Sequence, residues 1–241
     1  MNRALLAAVA AVLLSAVSVR AETRQTDVPN GFFNLYGGFS SVGNTNLKIQ
    51  NTGYSYDVHN LNMKNNVWGG LGVGYWFLQY PVSLAGSLSM DFVPSAIKAQ
   101  TADATYTSGG TSSSVKIAMA DRSLFQFVTG LNAIAGVPLG FVRPYIGVGP
   151  ALFIVDHTIN FYDTNGNLSQ SVSSMDAKLG YNAFLGAEAF ISRRFSVFVE
   201  GKYSQVNNLD FQPYPSTAPA YHNKYDRIVT RRLAVGGTLH F

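Results

Sequence analysis

Cysteine is absent from the 241 residues. Disulfide staples and thiolate metal sites are therefore excluded. Charge is scarce as well: Asp, Glu, Lys and Arg make up 12% of the chain, against about 25% in an average soluble domain. Past the first 21 residues no apolar run reaches the roughly 18 residues that a membrane-crossing helix needs, which disfavours a helical membrane protein. Basic clusters are missing too. The formal net charge of +4 falls to about +2 once Arg3 and Arg20 are set aside, and a nucleic-acid partner gains no support from what remains.

What the chain does have is hydrophobic residues, at 47%, with 23 glycines and 13% aromatics. The first 21 residues have the form of an export signal. Arg3 precedes an apolar run from Ala4 to Leu14, and Val19-Arg20-Ala21 meets the small-x-small rule for cleavage after Ala21. That run is too short to span a membrane. The expected division is a signal peptide at 1–21 and one domain at 22–241.

Period-two alternation dominates that domain, and alternation is the mark of a strand with two unlike faces. Residues 82–92 set Val82, Leu84, Leu88, Met90 and Phe92 against Ser83, Ala85, Ser87, Ser89 and Asp91. The same pattern runs through 66–78, 122–133, 143–155, 177–190 and 195–205, more weakly through 32–42, and from about Ile228 to Phe241. Eight strands result. A soluble barrel or sandwich would turn the oily face inward; a membrane barrel turns it out to lipid and lines its interior with the polar face.

Link lengths separate the two. Strands two and three are joined by Gln79-Tyr80-Pro81, four and five by Val137-Pro138-Leu139-Gly140, and six and seven by Ile191-Ser192-Arg193-Arg194. The other links, at about 43–65, 94–121, 156–175 and 206–227, are long. Short turns alternating with long loops are the pattern of a membrane barrel with periplasmic turns and extracellular loops. Lipid offers no hydrogen bonds, so the first strand has to pair with the last.

The segments "GGLGVGYWF", "RPYIGVGPALF", "GYNAFLGAEAFISRRFSVFVEGKYS" and "LAVGGTLHF" resemble the small eight-stranded outer-membrane β-barrel superfamily of Gram-negative bacteria, which includes the transmembrane domain of outer-membrane protein A and opacity-type surface proteins. The resemblance implies an all-β antiparallel transmembrane barrel in the cell outer membrane, monomeric, in contact with outer-membrane lipids and lipopolysaccharide. It also implies that Phe241, with Leu239 two places before it, is a C-terminal signal read by the barrel assembly machinery.

An eight-stranded lumen is only wide enough for side chains to fill it. Alternation turns Asp91, Glu188 and Glu200 inward together with Arg122, Arg143, Lys178, Lys202 and Arg232. These are expected to form an ion-pair plug, since an unpaired charge there costs several kcal/mol; a rearranging gate and a pair of catalytic carboxylates are the other readings. Gly70, Gly72 and Gly74 lack the order of a nucleotide loop and are expected to make room for large inward side chains. Tyr75, Trp76, Tyr80, Tyr145, Tyr181 and Tyr203 supply candidates for the aromatic girdles.

Enzymatic barrels exist, and a lipid A deacylase would carry His-x-Ser on one strand face. None of His59, His157, His222 and His240 is followed by such a serine, and Asp156-His157 reads as a polar loop edge. No cofactor and no metal site are expected. The second loop, rich in Ser, Thr and Gly, reads as mobile. The fourth stiffens Phe211, Tyr214, Tyr221 and Tyr225 with prolines, making them candidate contacts for an extracellular ligand or host surface. Three functions follow from this reading: a closed barrel serving membrane integrity or adhesion, a narrow channel for small or hydrophobic solutes, and a lipid-modifying enzyme.

Overall fold

A computed structural model describes residues 28–119, 122–162, 168–212 and 222–241, with the side chains of 159–172 left aside. The expected export signal at 1–21, Tyr214 and Tyr221 lie outside the described residues. Twelve strands are present: β1 (Gly31–Val42), β2 (Thr45–Asn51), β3 (Tyr54–Leu61), β4 (Asn66–Leu78), β5 (Ser83–Ile97), β6 (Gln100–Ser108), β7 (Thr111–Met119), β8 (Arg122–Gly136), β9 (Val142–Tyr162), β10 (Leu168–Phe190), β11 (Phe195–Phe211) and β12 (His222–His240).

Eight of them, in the order β1-β4-β5-β8-β9-β10-β11-β12, form a ring that closes by antiparallel pairing of β1 with β12. The seam runs from Phe32 opposite His240 to Val42 opposite Thr230. Alternation fixes what each face carries. Leu35, Val67, Phe77, Leu131, Ile146, Leu179 and Leu185 point outward and are more than half exposed, whereas Asp91, Asn132, Arg143, Lys202 and Arg232 point inward and are buried. Such a distribution inverts that of a soluble barrel and suits a lipid surround.

The described residues of the expected loops at 43–65 and 94–121 are instead built largely as the strands β2, β3, β6 and β7. Gly53, with φ at +92°, turns β2 into β3, and Gly109 and Gly110, at +55° and +79°, turn β6 into β7; glycine, with no Cβ, holds such angles at least cost. The two hairpins carry the wall upward: β12 pairs with β2, β3 with β6 and β6 with β7. The second loop is therefore an ordered hairpin. Its Ser and Thr side chains are compatible with a ladder because the backbone bonds, not the side chains, carry the pairing.

Within this upper wall the polarity reverses. Leu47, Val58, Leu61, Ile97, Leu124, Phe153, Val155, Leu209 and Phe211 pack inside as one core, and Asn46, His59, Thr101, Asp103 and Lys116 are exposed outside. The molecule is thus a polar-lined barrel at its turn end and an apolar-filled one at its hairpin end.

β11 and β12 switch faces together at the boundary. Asn207 and Asn208 are exposed in succession, Asn208 with φ at +57°, and so are Asp226 and Arg227 across the ladder. The pairing continues unshifted, with Val206 opposite Ile228 and Leu209 opposite Tyr225. Strict alternation would have left Phe211 and Tyr225 outside; the double switch brings both in.

Candidate functional site

The inward face of the ring builds two charged clusters. At the turn end, Arg143 (β9) bonds Glu188 (β10) through Nη2 at 2.6 Å and Nε at 3.1 Å. Its guanidinium lies 3.6 Å over the Trp76 ring and 4.9 Å from that of Phe190. The second Glu188 oxygen accepts from the Ser196 hydroxyl and stands 3.1 Å from His240 Nε2. Higher up, Asp91 (β5) holds Lys202 (β11) at 2.7 Å and Arg232 (β12) at 2.8 Å, and the Tyr36 hydroxyl donates to its other oxygen at 2.8 Å. Arg232 also reaches Ser204, which donates to Asn182 at 2.6 Å. Glycines make the layer fit: a Cβ at Gly70 would stand 2.5 Å from the Tyr36 ring and 2.7 Å from Asp91, and one at Gly74 would collide with Phe32.

Six of the eight expected charged residues therefore sit in the lumen, though not all as ion pairs. Glu200 accepts a hydrogen bond from the Tyr145 hydroxyl at 3.1 Å, and neither lumen arginine nor Lys202 is bonded to it. Lys178 and Arg122 do not join the network, because β10 and β8 carry them above it. Lys178 is 3.9 Å from Asp176 with its side chain 42% exposed. Arg122 lies beside His157 and Tyr225 and keeps one buried guanidinium nitrogen without a partner.

Two girdle candidates also move. Trp76 and Tyr145 face the lumen, where they stack on Arg143 and bond Glu200, while Tyr75, Tyr80 and Tyr181 are exposed on the outside. His157 does not lie at a loop edge: β9 continues past it, and its ring is buried 5.1 Å from Phe211 and 5.6 Å from Tyr225. Burial, helped by the nearby Arg122 charge, pulls the His157 imidazole down to about 3, and burial pushes the Tyr225 phenol up to about 12. Phe211 and Tyr225, expected as loop contacts, are sealed in the upper core for the reason given by the face switch.

Ser196, His240 and Glu188 are the residue types of a nucleophilic triad, and a search for His-x-Ser along one strand could not find them because they come from three strands. Their geometry differs from a triad in one respect. His240 meets Ser196 at 2.9 Å and Glu188 at 3.1 Å through the same nitrogen, Nε2, and its Nδ1 has no partner. A working triad needs the carboxylate on one ring nitrogen and the hydroxyl on the other. Here all three are buried and lock one another. Among the described residues no group of three His, Asp or Glu side chains gathers that could hold a metal ion.

Between the clusters the lumen leaves a cavity of about 40 Å³, bordered by Asn34, Asn132, Glu200 and Lys202 among others, room for about three waters. Above it come Gln126, bonded to Ser95 at 3.3 Å, and then the apolar core.

No family model and no curated protein matches the chain. Among solved structures it is similar to the outer membrane protein OprG from Pseudomonas aeruginosa, at 15% identity over 89% of this chain and 97% of that one, with a TM-score of 0.52. Neisserial surface protein A and the outer membrane protease OmpT from Escherichia coli follow at 13% and 11% identity, covering 87% and 88% of this chain and 97% of each of theirs, both with a TM-score of 0.45. The chain has the fold of the small outer-membrane β-barrels.

Proposed function

We propose that the protein resides in the outer membrane as a closed barrel whose work is structural and surface-presenting, contributing to membrane integrity and displaying its upper wall to the outside. The observation that carries this reading is the double seal: an ion-pair layer in the barrel and an apolar core above it. A channel for small solutes would need a continuous passage through both layers. The lipid-modifying alternative is disfavoured by the His240 geometry. Outer-membrane lipid, lipopolysaccharide and the assembly machinery are the partners this reading implies, with an extracellular ligand or host surface meeting the exposed hairpins, and with the barrel acting as a monomer.

The test is single-channel recording on refolded protein in planar bilayers, alongside cell fractionation. The expected result is no steady conductance and a band in the outer-membrane fraction. A persistent open level would establish the channel instead.

A further inference from the structure

The outer face of β10, β11 and β12 changes character across consecutive rungs. Leu185, Gly201 and Leu233 stand in one row, and Phe39 continues it on β1. Leu185 is 67% exposed and Leu233 36%, whereas a Cβ at Gly201 would meet nothing nearer than a backbone oxygen 4.0 Å away. The row is therefore a furrow with leucine banks. One outward rung higher, about 7 Å along the strand, Tyr203 faces Arg231, and two rungs above that Asn207 faces Arg227. Tyr181 and Tyr203 both donate to Gln205 Oε1, at 3.3 and 2.7 Å, and Gln205 donates to Asn207 at 3.1 Å, so this polar patch is ordered by its own bonds.

Two basic residues farther from the belt are neutralised within the wall, Lys48 by Asp57 at 3.7 Å and Lys224 by Asp210 at 3.4 Å. Arg227 and Arg231 are exposed, and among the described residues neither has an acid within 4.0 Å. Two uncompensated guanidiniums at the edge of a lipid-facing belt match the phosphate of a headgroup, which arginine binds in a fork geometry. A furrow directly below matches an acyl chain.

We propose that Arg227, Arg231 and the Gly201 furrow form a binding site for a phosphorylated, acylated lipid of the outer leaflet. The site rests on the outer-membrane placement proposed above and extends the lipid-facing belt. Phosphate oxygens sit between the two arginines with Tyr203 and Gln205 beside them, and one chain lies over Gly201 between Leu185 and Leu233.

The experiment is native mass spectrometry of the refolded full chain in detergent, titrated with purified phosphorylated lipid A and with its dephosphorylated form. The wild type is expected to retain the phosphorylated lipid selectively, and the R227Q/R231Q double variant to bind it about 30-fold more weakly. Gly201→Leu, which fills the furrow and leaves the arginines in place, is expected to weaken the same lipid. Heat-modified gel mobility identifies folded protein for each variant, and the substituted positions all lie on the outer face. Equal binding of both lipids, undiminished binding by the double variant, or full competition by inorganic phosphate would overturn the proposal. Loss of the outer-membrane band on fractionation would instead tell against the placement.

Discussion

His240 Nε2 lies 2.9 Å from the Ser196 hydroxyl, so the closing strand β12 is fastened to β11 from inside the barrel as well as along its ladder. The neighbouring residue does the same at the rim: Phe241 and Gly31 exchange two backbone bonds, at 2.9 and 3.0 Å, across the seam.

Deleting Phe241 removes that pair of bonds and an aromatic side chain that is 65% exposed on the outer face. Assembly is expected to drop far more than when Gly109 and Gly110 are cut from the tip of the upper hairpin, which no seam contact uses. The fraction of heat-modifiable protein in isolated outer membranes measures both. His240→Ala should fall between them, since it keeps the ladder and loses the inner tie.

Asp91 and Glu200 are both buried lumen carboxylates, and their neutralisation should differ sharply. Asp91→Asn leaves Lys202 and Arg232 facing an amide, two buried cations that have lost their directly bonded carboxylate and keep only the more distant Glu200, at a cost of about 3 to 5 kcal/mol. Glu200→Gln retains an acceptor for the Tyr145 hydroxyl and should cost about 1 kcal/mol. Urea midpoints of refolded protein give the comparison. Equal losses would mean that Glu200 carries a cation of its own.

Gly70 is a tight position in the charged layer, beside both Tyr36 and Asp91, that a single methyl can probe. An added Cβ meets the Tyr36 ring and a backbone oxygen of Met90 at 2.7 Å, and the latter cannot rotate away. Gly70→Ala is expected to destabilise by about 1 to 3 kcal/mol, measured in the same way, whereas Gly201→Ala should be close to neutral.

The ring was legible because each of its strands has two chemically opposite faces, as in Leu84, Leu88 and Phe92 against Ser83, Ser87 and Asp91. Charged residues on the polar face followed from the same parity. The upper wall was not legible, because its hairpins are short, their turns depend on positive φ at Gly53, Gly109 and Gly110, and Ser-Thr runs such as Thr111–Ser114 take strand form only when a neighbour is there to pair. Alternation also fails at Asn207-Asn208, which is why Phe211, expected as a loop contact, is buried at the end of β11 instead. The tie of His240 to Glu188 and Ser196 joins residues 52 and 44 positions apart, and no local pattern encodes a pairing of that range.

The buried His157 makes the upper core sensitive to acid. Its imidazole is held at about 3 by burial and by the Arg122 charge, whereas an unfolded histidine titrates near 6.5. The folded value is the lower one, so between the two the unfolded chain takes up a proton that the folded chain refuses. The contribution to stability is therefore complete above about pH 6.5 and is lost steadily as pH falls toward 3. Arg122 opposes protonation and Tyr225, at 3.2 Å from Nε2, remains a neutral phenol throughout. From pH 7.5 to 4.5 the loss from this group amounts to roughly 2 to 3 kcal/mol. His157→Phe keeps an aromatic ring against Phe211 and has nothing to titrate, so wild type should lose that much more than the variant across the same interval in urea unfolding. Identical acid sensitivity in the two proteins would show that the imidazole is not buried in its neutral form.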